Sequence, residues 1–339
     1  MGFLNDKIVE RLRNAEAAPD FSATRYRLRE FLSRGGMGAV YLADDHTLQR
    51  RVAIKVLDAS DPDGGLADRL NKEALVLAQL EHPGIVPVHD AGVLPDDRVF
   101  YVMKFVKGAR LDEFLAGVHS LSERLRLFLR VCDAVSFAHS RGVVHRDLKP
   151  PNIMIGAFGE VLVMDWGLAK VLTQRSDDED PNETAAQETP LASPSGGNIF
   201  QTKTAATQDG AVMGTPGYMS PEQAQGRTAD VDERSDIFSL GKLLEFATLQ
   251  SKDQANGRPP KALRAISAKA SAEKPVDRYP TVTLLAEDVS RFLDGEPVSA
   301  YRENLLERAH RFYKRYEVAI LLIAAYLVMR TLFVLYGRH

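Results

Sequence analysis

Hydrophobic and polar positions alternate along much of the chain between residues 26 and 105. Segments such as YRLREFL, AVYLA, RVAIKVL and RVFYVMKF show the period of two that is typical of half-buried strands, and a helical stretch around 67–80 interrupts them. From Leu111 to Leu293 the apolar residues instead follow the helical period, as in LSERLRLFLRVCDAVSFAHS. Strands followed by helices predict an α+β fold with an N-lobe at 26–105 and a mainly helical C-lobe at 106–296.

Two segments depart from this pattern. Residues 1–25 form a polar leader that lacks the long apolar run of a secretory signal. Residues 173–210 are rich in Ser, Thr, Gln, Gly and Pro and include an acidic run. Such a segment buries too little apolar surface to order itself, so we expect a long disordered loop inside the C-lobe.

Composition and charge argue against a nucleic-acid-binding protein and against one stabilised by intrachain disulfides. The 339 residues carry a formal net charge of −3 at pH 7, whereas a nucleic-acid-binding protein needs a basic face, so we expect no nucleic acid as a partner. Cys132 is the only cysteine, which excludes an intrachain disulfide. Its helical surroundings predict a small buried residue rather than a reactive thiol.

Charged residues surround a short hydrophobic strand in HRDLKPPNIMIGAFGEVLVMDWG, residues 145–167. Charges so close to a buried strand need partners. Asp147 and Asn152 lie on one loop and Asp165 ends the strand, so we expect all three to face one cleft. Oxygen ligands from Asn152 and Asp165 suit Mg²⁺, and Lys149 adds a positive charge for a transferred phosphate. These residue types predict phosphoryl transfer.

Two earlier segments supply further candidates. LSRGGMGAVYLA is a glycine turn in which Gly35 and Gly38 would let backbone N–H groups approach phosphate oxygens, although similar turns occur in ordinary hairpins. In RVAIKVL, Lys55 lies on the half-buried face of a strand and needs an anion there, unless it is solvated at a sheet edge. Glu73, on the following helix, can supply that anion.

Together these segments resemble the protein kinases, in particular the bacterial serine/threonine kinases of eukaryotic type. HRDLKPPN, DWG and SPEQ carry the resemblance jointly, and it extends from about Tyr26 to Leu293. It implies a two-lobed protein kinase fold, with a small antiparallel sheet in the N-lobe, and transfer of the γ-phosphate of ATP, with Mg²⁺, to protein Ser/Thr hydroxyls. Lys149, and Thr215 in GTPGYMSPE, resemble the serine/threonine class rather than the tyrosine class.

The resemblance also implies a role for each matching residue. Asp147 would orient the substrate hydroxyl and accept its proton, with Lys149 beside it. Asn152 and Asp165 would bind Mg²⁺. Lys55 would hold the α- and β-phosphates, and Glu73 would hold Lys55. The residues that would cover the phosphates or enclose the adenine are Ser33, Gly35, Gly38, Val40, Ala53, Met103, Lys104, Val106 and Met154.

Other residues of the C-lobe would have structural or regulatory roles in a kinase. Asp236 would anchor the catalytic loop from a buried helix, and Glu222 would pair with Arg278. Arg146 has no obvious partner nearby in the sequence, and in kinases that carry this arginine a phosphate on the activation loop can supply one. Thr207 best matches the usual phosphorylated position, unless acidic residues of the loop already neutralise Arg146.

The sequence departs from the family pattern at several places. Ser33 stands where the first loop glycine is usual, and Trp166, which we expect to pack as a large apolar wedge, replaces a phenylalanine. After Leu249 the chain is too short for the helix that normally shapes the protein-substrate surface. These departures leave open a pseudokinase that acts as a membrane-tethered scaffold, with small-molecule phosphotransfer as a third interpretation.

The most apolar stretch is residues 318–336, VAILLIAAYLVMRTLFVLY. As a helix it would be about 28 Å long, close to the hydrocarbon thickness of a bilayer, about 30 Å. Arg330 is unfavourable in a span, and a buried core helix is the alternative. Because a basic juxtamembrane segment, 297–317, precedes it, we expect a tail-anchored, single-pass protein of the cell membrane with a cytoplasmic kinase domain. A second copy of the chain would serve autophosphorylation.

Overall fold

The computed structural model describes most of both predicted lobes. The described residues are 19–35, 38–57, 77–118, 120–166, 170–171, 217–227, 230–249, 259–304, 308 and 316–336. The predicted loop at 173–210, the shortened region after Leu249 and most of the predicted helix at 67–80 lie outside these ranges.

An antiparallel sheet of five strands forms the N-lobe, in the order β1-β2-β3-β5-β4. Its strands are β1 (Tyr26–Gly35), β2 (Gly38–Asp45), β3 (Arg50–Leu57), β4 (Val88–Val93) and β5 (Val99–Lys104). Antiparallel neighbours can be joined by short connections, which is why consecutive runs of strand pattern fold into one sheet. This confirms the predicted antiparallel N-lobe.

Strand β3 is buried on both faces because each face meets a different hydrophobic cluster. The side chains that join the smaller cluster are Val52, Ile54 and Val56. Ala53 and Leu57 belong to the main core, which continues into the C-lobe. Lys55 lies between them in the alternation of the strand and is 8% exposed. The strand period therefore directs this lysine toward the C-lobe.

The segment before β1 packs on the smaller cluster. Phe21 is buried and meets Phe100 edge to face, with ring centroids 5.0 Å apart. Tyr26 Oη donates a hydrogen bond to Asp90 Oδ2 over 2.6 Å. Burial, together with this hydrogen bond, raises the pKa of Tyr26 to about 12. The folded lobe thus begins before residue 26, inside the predicted leader.

Helices and short strands make up the C-lobe. The helices are α1 (Leu111–Gly117), α2 (Leu121–Ser140), α3 (Pro221–Ala224), α4 (Glu233–Leu249), α5 (Lys261–Ala270) and α6 (Val282–Leu293). The short strands are β6 (Gly108–Arg110), β7 (Val143–Val144), β8 (Ile153–Gly156), β9 (Val161–Val163) and β10 (Lys170–Val171). Helix α2 packs against both α4 and α6, which places it at the centre of the lobe.

Helix α2 carries a buried cation that joins three parts of the lobe. Arg124 is 1% exposed and donates to the carbonyl oxygens of Leu115, Val118 and Ala247. These carbonyls lie at the C-terminal ends of α1 and α4, where a positive charge is favourable. Burial lowers the pKa of Arg124.

Cys132 lies on the same helix, and burial raises the pKa of its thiol, which confirms a small buried residue at that position.

The chain after α6 folds back onto the C-lobe. Asp288 is 1% exposed and accepts hydrogen bonds from Tyr279 Oη and from the N–H and Oγ of Ser299, each over 2.7 Å. Val298 is buried in the main core. Residues that the sequence assigns to the start of the juxtamembrane segment are therefore part of the folded lobe.

A further helix, α7 (Glu317–Tyr336), covers the apolar C-terminal run. Its side chains are described from 320 to 331, and Leu322 and Met329 are 66% and 69% exposed. Within the described part of the chain, no helix combines the length and the apolar character that crossing a membrane requires. The predicted transmembrane helix at 318–336 is therefore not confirmed.

Candidate active site

One buried carboxylate holds the loop that follows β7. Asp236, in α4, accepts hydrogen bonds from the N–H groups of His145 and Arg146, each over 2.8 Å, and His139 Nε2 lies 2.8 Å from its Oδ2. Burial acts to raise the pKa of Asp236, but the bond with His139 and the nearby imidazoles lower it overall. The predicted role of Asp236 as the anchor of this loop is confirmed.

Asp147 is oriented by two donors on its own loop. Lys149 Nζ lies 2.7 Å from Asp147 Oδ2. The Asn152 amide donates to the same oxygen over 3.1 Å and to the Asp147 carbonyl over 2.9 Å. A carboxylate that must meet a substrate hydroxyl needs such fixed geometry, so the cluster is suited to accepting a proton at a defined place.

Asp165 follows β9 and forms an ion pair with the N-lobe. Its Oδ1 lies 3.0 Å from Lys55 Nζ, which the alternation of β3 directs toward it. Burial acts to raise the pKa of Asp165, but Lys55 outweighs it, with help from His145 and Lys149, so the pKa falls below its ordinary value. The carboxylate therefore stays ionised, and Lys55 is not solvated at a sheet edge.

Asn152 and Asp165 are brought together by the backbone. The N–H of Met164 donates to the carbonyl oxygen of Asn152 over 2.8 Å, so the residue before Asp165 is tied to the loop. The amide nitrogen of Asn152 donates to Asp147, so the amide oxygen Oδ1 is the atom that could bind a metal. An amide oxygen and a carboxylate are the donors that Mg²⁺ prefers, so the residues fit the predicted metal. A different kind of metal site, formed by three or more His, Cys, Asp or Glu side chains, is not found among the described residues.

Trp166 links Asp165 to the anchored loop. It is 1% exposed, its indole N–H donates to the Val163 carbonyl over 3.3 Å, and its ring lies 4.5 Å from that of His145. His145 Nε2 in turn lies 2.9 Å from the Met164 carbonyl. The tryptophan packs as the predicted apolar wedge and holds the two charged segments in one arrangement.

Strand register groups most of the residues predicted to enclose an adenine. Val40 lies opposite Lys55 in the β2–β3 pair, and Ala53 lies opposite Met103 in the β3–β5 pair. Met154 belongs to β8 of the C-lobe. Val106 and Met103 are buried where the chain leaves β5, and the N–H of Lys104 donates to the Pro87 carbonyl. The contacts of these residues with a nucleotide stay predictions.

The glycine turn closes the β1–β2 hairpin. Gly35 lies opposite Gly38, and Ser33 opposite Val40, while residues 36–37 lie outside the described ranges. A Cβ at Gly38 would lie 2.2 Å from the Val56 carbonyl oxygen, so a side chain is excluded there. This close approach explains the second glycine independently of any ligand.

Several predicted residues lie outside the described ranges. Glu73, the predicted partner of Lys55, is one of them, as are Thr207 and Thr215. Arg146 is described, and its buried Nε has no hydrogen-bond partner within the described part of the chain. Burial lowers the pKa of Arg146, and Asp236 opposes that shift. The phosphate expected to pair with Arg146 stays a prediction.

A buried ion pair joins α3 to the chain after α5. The two guanidinium nitrogens Nη1 and Nη2 of Arg278 donate to Glu222 over 2.7 and 2.8 Å, and Ser235 Oγ donates to Glu222 Oε1 over 2.7 Å. The remaining donors of Arg278 reach backbone carbonyls. The predicted pairing of Glu222 with Arg278 is confirmed.

Sequence reasoning missed Gln223, which contacts the catalytic loop directly. Its Nε2 donates to the carbonyl oxygen of Arg146 over 2.7 Å, and its Oε1 accepts hydrogen bonds from Ser220. The spacing Ser-x-x-Gln, which is typical of a helix N-terminus, is visible in the sequence. The bond to Arg146 joins residues far apart in the chain and has no such local signal.

Residues 26–293 match the family described as the protein kinase domain. The chain is a member of the protein kinase family. Among the relatives of this kinase is the serine/threonine-protein kinase PknD of Chlamydia muridarum, which is 35% identical over 88% of this chain and 34% of its own length. PknD of Protochlamydia amoebophila is 33% identical over 80% of this chain and 30% of its own length. The chain thus spans about a third of the length of these bacterial relatives, and the predicted resemblance is confirmed.

Solved structures agree on the fold of this kinase. The crystal structure of the Mycobacterium tuberculosis PknI kinase domain superposes with a TM-score of 0.53 at 24% identity. The match covers 79% of this chain and 96% of that one. At this identity the similarity shows the fold alone, and it confirms an antiparallel N-lobe joined to a helical C-lobe.

Proposed function

We propose that this kinase transfers the γ-phosphate of Mg·ATP to serine and threonine hydroxyls of protein substrates. The observation that carries the proposal is the pair of charged clusters in one site. Lys55 pairs with Asp165 over 3.0 Å, and Asp147 is held by Lys149 over 2.7 Å. The names of the bacterial relatives support serine and threonine as acceptors.

The protein side chains would bind the nucleotide and the metal, orient the acceptor hydroxyl and accept its proton. Asp147 would accept the proton of the substrate hydroxyl, and Lys149 would stabilise the charge that develops on the phosphate. Lys55 would hold the nucleotide phosphates, and Asn152 Oδ1 and Asp165 would hold Mg²⁺. When bound, Mg·ATP supplies the phosphoryl group together with a divalent charge that neutralises its oxygens.

Transfer of label from γ-labelled ATP to protein tests this proposal. We expect label on serine and threonine only, and only when Mg²⁺ is present. ATP binding without any transfer would favour the alternative, a membrane-tethered scaffold. Label on a small molecule but not on protein would favour the third interpretation.

We also propose that residues 318–336 anchor the kinase in the cell membrane as a single pass, with its kinase domain in the cytoplasm. The support is the apolar sequence, its basic flank and the exposed side chains of α7 described above. The full chain should sediment with membranes and resist salt and alkaline extraction. A chain that ends at residue 316 should not sediment.

A double variant provides the matched control for the anchor. Leu322→Arg with Leu327→Arg keeps the length of the helix but places two charges in the apolar run, at a cost of roughly 2.5–3.5 kcal/mol each in a bilayer. We expect this variant to lose its membrane association. Recovery of the unaltered full chain entirely in the soluble fraction contradicts the anchor.

A further inference from the structure

Gln223 bonds at the same time to the start of α3 and to the catalytic loop. Its Oε1 accepts hydrogen bonds from the N–H of Ser220 over 3.1 Å and from Ser220 Oγ over 2.9 Å. Its Nε2 donates to the Arg146 carbonyl oxygen over 2.7 Å, and the residue is 6% exposed. Because an N–H can only donate and a carbonyl can only accept, a single orientation of the amide satisfies all three contacts.

The helix itself does not need an amide at this position. A capping box accepts glutamate as readily as glutamine at its third helical residue, because only the side-chain oxygen meets the capping residue. A glutamate at 223 would keep both bonds to Ser220, but in place of the donor it would set a buried carboxylate oxygen against the Arg146 carbonyl oxygen. The amide nitrogen therefore serves the catalytic loop.

The carbonyl that Gln223 holds belongs to the peptide unit directly before the predicted base. The N–H of the same unit, on Asp147, donates to His145 Nδ1 over 3.2 Å. Arg146 has φ of +70°, a left-handed conformation that is unfavourable for a residue with a side chain. Both polar groups of this peptide unit are thus held by side chains while the backbone beside it is strained.

We propose that Gln223 is a positioning residue for phosphate transfer. By fixing the peptide unit between Arg146 and Asp147, it aims the Asp147 carboxylate at the acceptor hydroxyl. Through its bonds to Ser220, it also ties the base to the N-terminus of α3. The inference rests on the proposed kinase function, since it concerns the geometry of the same base.

The test compares the whole protein as wild type and as Gln223→Glu. Gln225→Glu is the matched control, because Gln225 is exposed and follows the same short helix. Three quantities are measured: the rate of γ-phosphate transfer in a single turnover at saturating Mg·ATP, the affinity for ATP, and Tm. For Gln223→Glu we expect a rate roughly tenfold lower, the order that loss of one positioned hydrogen bond gives, with ATP affinity unchanged. We also expect a lower Tm, because a buried carboxylate then faces the Arg146 carbonyl.

A second variant removes the donor without adding a charge. Gln223→Met fills the volume but loses the contacts with Ser220 as well, so we expect the same loss of rate together with a lower Tm. Equal rates for wild type and Gln223→Glu overturn the inference alone. A parallel fall of rate, Tm and ATP affinity in Gln223→Glu assigns a structural role and overturns it too. Absence of transfer by the wild type overturns the proposed function, and the inference with it.

Discussion

Replacing Asp165 by asparagine is expected to abolish Mg²⁺-dependent phosphate transfer while the fold stays intact. Asparagine preserves the size of the side chain and removes the negative charge that pairs with Lys55 over 3.0 Å and that would bind the metal. The loss of one preorganised electrostatic group in a site of this kind costs roughly a hundredfold or more in rate. The measurement is the initial rate of label transfer from ATP over a range of Mg²⁺ concentrations.

Asp277→Asn is the control for this variant, since Asp277 is exposed and lies far along the chain from the site. Circular dichroism should match the wild type for both variants, and Tm should match it for Asp277→Asn. For Asp165→Asn we expect a modest fall in Tm, because Lys55 loses a counter-charge that is itself half exposed. Incorporation of label by Asp165→Asn at the wild-type rate would show that Asp165 has no part in metal binding.

Replacing Glu222 by glutamine is expected to lower the free energy of unfolding by about 3 kcal/mol at neutral pH, because it leaves the buried Arg278 guanidinium without a counter-charge. Both side chains are almost fully buried, at 0% and 2% exposure. Burial acts to raise the pKa of Glu222, but hydrogen bonds from Arg278 and Ser235 lower it from 4.5 to about 2. The measurement is chemical denaturation of both proteins at several pH values.

The pH dependence of this loss has a definite sign. A carboxyl whose pKa is depressed on folding stabilises the protein above its ordinary pKa and ceases to do so as pH falls through the folded value. The difference between wild type and Glu222→Gln should therefore be constant above about pH 5 and shrink from pH 4.5 toward about 2. Glu273→Gln, at an exposed position, serves as the control. A difference independent of pH over that interval would mean that the charge of Glu222 does not stabilise the fold.

The sequence predicts the charged site well because its residues lie on regular elements or short loops. The alternation of β3 predicts the side on which Lys55 lies, and the end of a hydrophobic strand predicts where Asp165 lies. The backbone hydrogen bond from the N–H of Met164 to the carbonyl of Asn152 ties the residue before Asp165 to the loop that carries Asn152. Because a three-residue strand and a compact loop connect them, Asn152 and Asp165, the two predicted oxygen ligands, can hardly lie far apart.

Contacts between distant segments were not predictable in the same way. Phe21 lies in a polar stretch, and it packs against Phe100, which β5 contributes to the same hydrophobic cluster from a distant part of the chain. Val298 follows a Gly-Glu-Pro sequence that is typical of a linker, yet the next residue, Ser299, donates a hydrogen bond to Asp288 and so holds this stretch on the lobe. The same holds for Gln223: the Ser-x-x-Gln spacing in the sequence predicts a helix cap, but the hydrogen bond to the Arg146 carbonyl is visible only in the folded protein. In each case tertiary packing adds a partner that local periodicity does not contain.

The most direct measurement is the rate of phosphate transfer from Mg·ATP to a protein substrate by the whole wild-type chain and by Asp147→Asn. Asparagine keeps the hydrogen-bond acceptor for Lys149 but cannot take up a proton. We expect the wild type to label serine and threonine, and the variant to be slower by roughly a hundredfold or more with unchanged ATP affinity. Equal rates for the two proteins, or label that never reaches a protein hydroxyl, would contradict the assignment of this site as the centre of a serine/threonine kinase.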